Sequence, residues 1–171
     1  GNPEKRIRLV RLASWFSQGR GIVTACQLVE GDLAIERIER ETVRRDMDEV
    51  LEKCGLVAFN EVDVVRDFET GVSDVTQANG IADLKCNTVM FGWPTKPGRL
   101  ESQLRIMRAI SYAGKSTIIA RINWAHEPGQ EKRIDLWWGG QQNNGDLMLL
   151  LAHLLSLNAE WHGARLVVRS I

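Results

Sequence analysis

Apolar positions along this chain alternate between a helical spacing and short β-branched runs, and the switch between the two periods marks out its elements. In residues 3–17, Ile7, Leu9, Val10, Ala13 and Phe16 fall on one helical face. Asn2 can cap this helix, Pro3 suits its first position and Glu4 its positive end, while Gly19 and Gly21 stop it. That opening is a strand-to-helix turn, so a strand is expected ahead of it, missing from this sequence. Residues 21–29, GIVTACQLV, predict a strand. Residues 33–53 predict a long helix through Leu33, Ile35, Ile38, Val43, Met47, Val50 and Leu51, and the intervening charged run is its solvated face, with i,i+4 pairs. A strand is expected over 56–65, a weaker helix over 67–79 ending at Asn79-Gly80, and a strand over 87–93, NTVMFGW. A helix over 97–113 then carries Leu100, Leu104, Ile106, Met107, Ile110 and Tyr112, and STIIARI at 116–122 is the next strand.

Helices and strands alternating at this spacing imply right-handed crossovers: an α/β fold, its mainly parallel sheet covered by helices on both faces. Residues 123–132 are too short and polar for a crossover helix and break the rhythm. The strand at 133–138 either turns back on the previous one or starts a second sheet. A glycine-containing turn over 139–145, a helix over 146–157 and a strand over 165–169 resume the pattern. The expected organisation is a first α/β lobe at 1–125, a connection at 126–132 and the start of a second α/β lobe, truncated, at 133–171.

Composition changes this picture little. Among 171 residues Lys plus Arg number 22 and Asp plus Glu 22, so no net positive field marks a nucleic-acid partner or an anionic membrane surface. Three cysteines without CxxC spacing suit reduced thiols in a cytosolic setting better than a disulfide framework. The N-terminus lacks the apolar stretch of a signal peptide, and the longest apolar run, at 147–157, falls short of the roughly 20 residues that span a bilayer. No direct membrane insertion is expected.

Candidate chemistry is sparse. Gly114-Lys115-Ser116-Thr117 imitates the end of a phosphate-binding loop, but Ala109 stands where that motif needs glycine and the helix precedes instead of following, so Gly114 reads as a helix C-cap. Gly139, Gly140 and Gly145 lie between a strand and a helix, where open α/β sheets bind ligands. Their spacing is not that of a dinucleotide site, and Asp146 at the helix start would repel a phosphate, so the turn is a weak ligand candidate beside its reading as a capped turn. His126, His153 and His162 have no metal-ligand spacing, and no Ser/His/Asp grouping is recognisable. No catalytic residue, metal or cofactor is therefore expected. Trp93, Trp124, Trp137, Trp138 and Trp161 flank strand ends and loops and are candidates for core packing or a homomeric interface.

Two stretches carry a resemblance. Asn87-Thr88-Val89-Met90-Phe91-Gly92-Trp93-Pro94 follows Ala82-Asp83-Leu84-Lys85, and Ile134-Asp135-Leu136-Trp137-Trp138 precedes a polar glycine turn and Leu147-Met148-Leu149-Leu150-Leu151. In this order, with matching elements between them, they resemble the C-terminal cytoplasmic domain of the cation–chloride cotransporters and of prokaryotic relatives among the amino-acid–polyamine–organocation permeases. The resemblance implies a universal-stress-protein-like α/β fold of two lobes, and a non-catalytic regulatory domain that forms homodimers and follows its own transmembrane transport domain at the cytoplasmic face of the cell membrane. The short 123–132 connection, in place of the long phosphorylatable insertion of eukaryotic members, implies a prokaryotic protein. A nucleotide-sensing module of the stress-protein type and the regulatory tail of an amino-acid permease are the competing readings.

Overall fold

Two parallel strand pairs and the helices that join them make up the first lobe of the computed structural model, which describes residues 3–32, 37–81, 84–123, 133–140 and 142–170. In one pair, β1 (Thr24–Glu30) lies beside β2 (Phe59–Val65), in register from Thr24 opposite Phe59 to Glu30 opposite Val65. In the other, β5 (Thr88–Gly92) lies beside β6 (Ser116–Ala120), from Thr88 opposite Ser116 to Gly92 opposite Ala120. Parallel neighbours need a long crossover, and each pair has one: α2 (Arg37–Lys53) between β1 and β2, and α4 (Arg99–Tyr112) between β5 and β6.

The strands bury both faces, as period-two alternation requires. Ala25 of β1 packs against Val10 of α1 (Pro3–Ser17) and against Met47 and Leu51 of α2. Leu28 of the same strand points the other way, to Val72 of α3 (Phe68–Ala78) and Ile106 and Ile110 of α4, which also hold Val89 and Phe91 of β5. Helices α1 and α2 thus cover one face and α3 and α4 the other. This is the expected α/β architecture with parallel strands, with one difference. Among the described residues β1 and β5 do not pair, so the strands form two separate pairs where one continuous sheet was expected.

Local chemistry sets the boundaries. Asp67 caps α3 by accepting the Thr70 N–H at 3.0 Å. Gly114 follows α4 at φ +73°, so it ends the helix, and the Lys115 ammonium donates to the Cys86 carbonyl. The phosphate-loop imitation is a helix stop. A two-residue hairpin, β3 (Gly80–Ile81) with β4 (Leu84–Lys85), was not foreseen, because so short a strand leaves no alternation to read. Gly80 is required there, since a Cβ would stand 2.7 Å from the Leu84 carbonyl oxygen.

The second lobe begins a new sheet. β7 (Arg133–Trp138) pairs in parallel with β8 (Arg165–Ser170), and α5 (Gln142–Ser156) with the 3-10 turn Ala159–Trp161 makes the crossover. Ile134 and Leu136 pack beneath Ala152, with Met148, Leu155, Trp161 and Ala164 around them. The lobes meet where α1 touches the end of α5. Gln18 Nε2 donates to the Leu154 carbonyl at 2.6 Å, and Asn158 Nδ2 donates to the Trp15 carbonyl at 3.1 Å. No described helix is long and apolar enough to cross a membrane.

Candidate functional site

Strand β7 divides its side chains between two environments. Ile134 and Leu136 point into the core, and Arg133, Asp135 and Trp137 occupy the opposite face. Asp135 accepts from Arg133 Nε and from Arg169 Nε, each at 2.7 Å, so its two oxygens bridge β7 to β8. The Arg169 hydrogen bond first, and then Arg133, hold the Asp135 carboxyl below the usual carboxylate range. The Arg169 guanidinium also lies over the Trp137 ring, 5.4 Å from its centroid. This face presents an exposed indole, 59% accessible, beside an ion-paired arginine.

At the C-terminal end of β7 the structure corrects the expected turn. Helix α5 starts at Gln142, four residues ahead of the expected Asp146, so Gly145 lies inside its first turn instead of ending a loop. Gly145 is buried, and a Cβ there would stand 2.1 Å from the Trp138 ring. Its smallness is a packing requirement, which accounts for this glycine without any phosphate. Gly140 sits at φ +75° and turns the chain, and Gly139 has open space around it. Trp137, Trp138, Gly139, Asn144, Gly145 and Met148 line an open hollow of about 220 Å³. Ligand pockets typically hold roughly 300–1,000 Å³, so this one suits a fragment of a ligand and not an enclosed nucleotide.

The candidate tryptophans therefore separate. Trp138 is half-buried on Gly145, and Trp137 is exposed on the other side of the strand. Trp93 lies just beyond β5, exposed, with its backbone N–H bonded to the Ala120 carbonyl at 2.8 Å, and it takes no part in the hollow. Trp124 and His126 lie outside the described residues. His153 and His162 are exposed, and no group of metal-ligating side chains occurs among the described residues.

Two features were missed in the sequence. Trp15, placed on no apolar face above, is 6% exposed and meets Trp161 across the lobe junction. Its signal was its i+8 spacing from Ile7, hidden behind Phe16. Cys26 is solvent-exposed on β1, where it donates to Glu61 Oε2 at 3.8 Å and accepts from Asn79 Nδ2 at 3.6 Å. Burial, and then the neighbouring Glu61 and Asp63 carboxylates, push its thiol up to about 12. Such a thiol is a poor nucleophile at neutral pH.

Comparison with known proteins gives two findings. The family model described as solute carrier family 12 matches residues 6–103, more than half of the chain. Among solved structures, the cytoplasmic domain of a prokaryotic cation chloride cotransporter is similar over 99% of this chain, with a TM-score of 0.63 at 15% sequence identity. The match covers 62% of that structure, so this chain spans less than two thirds of its length.

Proposed function

The chain belongs to solute carrier family 12, and on that premise we propose that it is a cytoplasmic regulatory and dimerisation domain attached to a secondary transporter of the cation–chloride cotransporter type. The observation that carries this reading is the likeness of nearly the whole chain to a cytoplasmic domain of that kind. Regulation by such a domain is a matter of binding and not of covalent chemistry. Its exposed apolar residues support self-association: Leu149, Leu150 and Leu157 around α5, and Leu166 and Val168 on β8, together with Trp137. The partners are then its own transmembrane domain and a second copy of itself.

The test is radioactive chloride uptake into vesicles holding the full-length protein, with sodium or potassium varied outside and with this domain either present or deleted. Cation-dependent chloride flux that changes on deletion supports the reading. Flux of amino acids without chloride dependence would move the domain to the permease relatives. Sedimentation of the isolated chain at high micromolar concentration addresses dimerisation, and a strict monomer contradicts it. The competing reading, a nucleotide sensor, rests on the place of the Gly139–Gly140 turn at the C-terminal end of a parallel strand alone, and a calorimetric titration with ATP and AMP showing no heat would remove it.

A further inference from the structure

We propose that the outward face of α4, with Trp93 ahead of it, lies on the surface of an anionic lipid bilayer. The inference rests on charge and exposure alone and stands independently of the transport reading.

A net charge of zero hides a segregation along the chain. Between Trp93 and Arg121 stand Lys96, Arg99, Arg105, Arg108, Lys115 and Arg121, against the single carboxylate Glu101. The remaining residues carry the matching acidic excess, so the whole-chain sum conceals a basic segment. The structure separates the engaged cations from the free ones. Lys115 is half-buried and donates to the Cys86 carbonyl. Arg105 binds Glu101 and Glu69, each at 2.8 Å, which leaves that trio with one net negative charge. Lys96, Arg99 and Arg108 are exposed, form no ion pair among the described residues and outweigh the trio.

The apolar part of the face follows from helical spacing. Ile106 and Ile110 hold α4 against Val72 of α3. On the side away from them, Leu100, Leu104, Arg108 and Tyr112 recur every four residues, and all four are exposed. Leu104 is 53% accessible and Tyr112 86%, and Trp93, in the loop that leads into the helix, is 46%. A single exposed apolar residue is ordinary, but a row of them beside free cations defines a surface. At 1.5 Å per residue the row runs about 18 Å along the helix. Helices with Leu, Trp and Tyr on the stripe that carries Lys and Arg lie in the plane of a membrane interface, with apolar groups at the acyl boundary and cations among the headgroups. Arg108, inside the row, suits both layers: its methylene stem covers apolar surface while its guanidinium reaches a phosphate.

Charge identifies the occupant. A neutral surface laid on α4 would desolvate Lys96, Arg99 and Arg108 without offering them partners, which is costly. An anionic leaflet attracts them. A nucleic acid would also supply phosphates, yet it has no acyl layer to receive Leu100 and Leu104. Such contact is peripheral: α4 has 14 residues, short of the roughly 20 that span a bilayer.

Co-sedimentation of the chain with sucrose-loaded vesicles tests this, one set of phosphatidylcholine alone and one with about 30% phosphatidylserine. Partition to the anionic set should be at least tenfold tighter in about 0.1 M salt and should fall steeply in about 1 M salt. Arg99→Glu with Arg108→Glu should weaken it at least tenfold, and so should Leu100→Ser with Leu104→Ser, with melting temperatures nearly unchanged because these side chains are exposed. Brominated acyl chains should quench tryptophan fluorescence on binding, an effect that Trp93→Phe largely removes and Trp137→Phe leaves. Equal partition of the parent chain to the two sets, or partition to neither, overturns the proposal. So does a loss with the charge reversals but not with the serines, which would make the contact electrostatic alone. Tighter binding to polyglutamate or to duplex DNA than to the anionic vesicles also overturns it, by assigning the face to another polyanion.

Discussion

Trp15 of α1 and Trp161 of the turn after α5 meet edge to face, with ring centroids 5.5 Å apart and planes at 83°. They close the junction between lobes, flanked by the Gln18–Leu154 and Asn158–Trp15 hydrogen bonds. Trp15 is nearly fully buried, and Trp161 Nε1 is buried without a partner among the described residues. Trp15→Ala is expected to cost about 3–5 kcal/mol in denaturant unfolding, from lost burial and the cavity left behind. Trp161→Phe should cost clearly less than Trp15→Phe, because it removes an unsatisfied donor along with the lost area. Equal losses would show that the two rings contribute through area alone.

Gly145 has two opposing terms. Alanine is favoured over glycine in a helix by about 1 kcal/mol, whereas the added Cβ would stand 2.1 Å from Trp138. Overpacking of this kind costs about 1–3 kcal/mol, so the clash wins and Gly145→Ala should lower the melting temperature. Gly139→Ala, with nothing within 4 Å and no positive φ, should leave it nearly unchanged. A paired thermal melt of the two variants reads the difference.

The same glycine shows where the sequence could be read and where it could not. Helical spacing in residues 37–53 and 99–112 and the short apolar runs of β1, β5 and β7 announce themselves, and the parallel α/β class follows from their order. Gly145 looked like a loop residue because glycine disfavours helices, yet the reason for it is the indole across the corner, a tertiary fact with no local trace. Trp15 was overlooked for a different reason: its i+8 spacing from Ile7 was a local signal, but the adjacent Phe16 took its place on the apolar face, and its partner Trp161 lies far along the chain. The low-lying ligand candidate Gly139, Gly140 and Gly145 thus divides into an open turn, a left-handed turn and a packed helix residue.

Asp135 ties the pH dependence of the second lobe to Arg169 and Arg133. Its folded carboxyl is held lower than in the unfolded chain. Stability from this linkage is present above the unfolded carboxylate value, about 3.9, and is lost as pH falls through the lower folded value. Asp135→Asn should therefore have a lower denaturant midpoint than the parent at pH 7. The gap should narrow progressively below about pH 4. A gap that stays constant down to pH 2 would detach the effect from ionisation.

Cys26 runs in the alkaline direction. Its thiol is pushed up to about 12 by burial and by Glu61 and Asp63, so the folded chain keeps a proton that the unfolded chain gives up near its ordinary value. The linked stability is present below that ordinary value and declines as pH rises from about 9 towards 12. At neutral and mildly alkaline pH its thiolate fraction is therefore well below that of a free cysteine. Iodoacetamide should label Cys26 far more slowly in the native chain than in urea. Glu61→Gln should speed the native reaction by removing the nearest carboxylate, and an unchanged rate would leave burial as the whole cause.

Trp137 is where the fold and the proposed dimer can be told apart. Its ring is 59% accessible and rests on Arg169, while its neighbour Trp138 packs into the corner with Gly145. Exposed tryptophans beside arginine have the composition of interface hot spots, where truncation costs about 2 kcal/mol or more. Trp137→Glu should weaken self-association at least tenfold in sedimentation, about 1.4 kcal/mol, with little change in melting temperature. Trp138→Ala should do the reverse in emphasis, lowering the melting temperature through the cavity it opens beneath α5. If Trp137→Glu leaves association untouched while Leu150→Glu or Val168→Glu abolishes it, the interface lies over the α5–β8 side, and the Asp135–Arg169–Trp137 face serves only to bind β7 to β8.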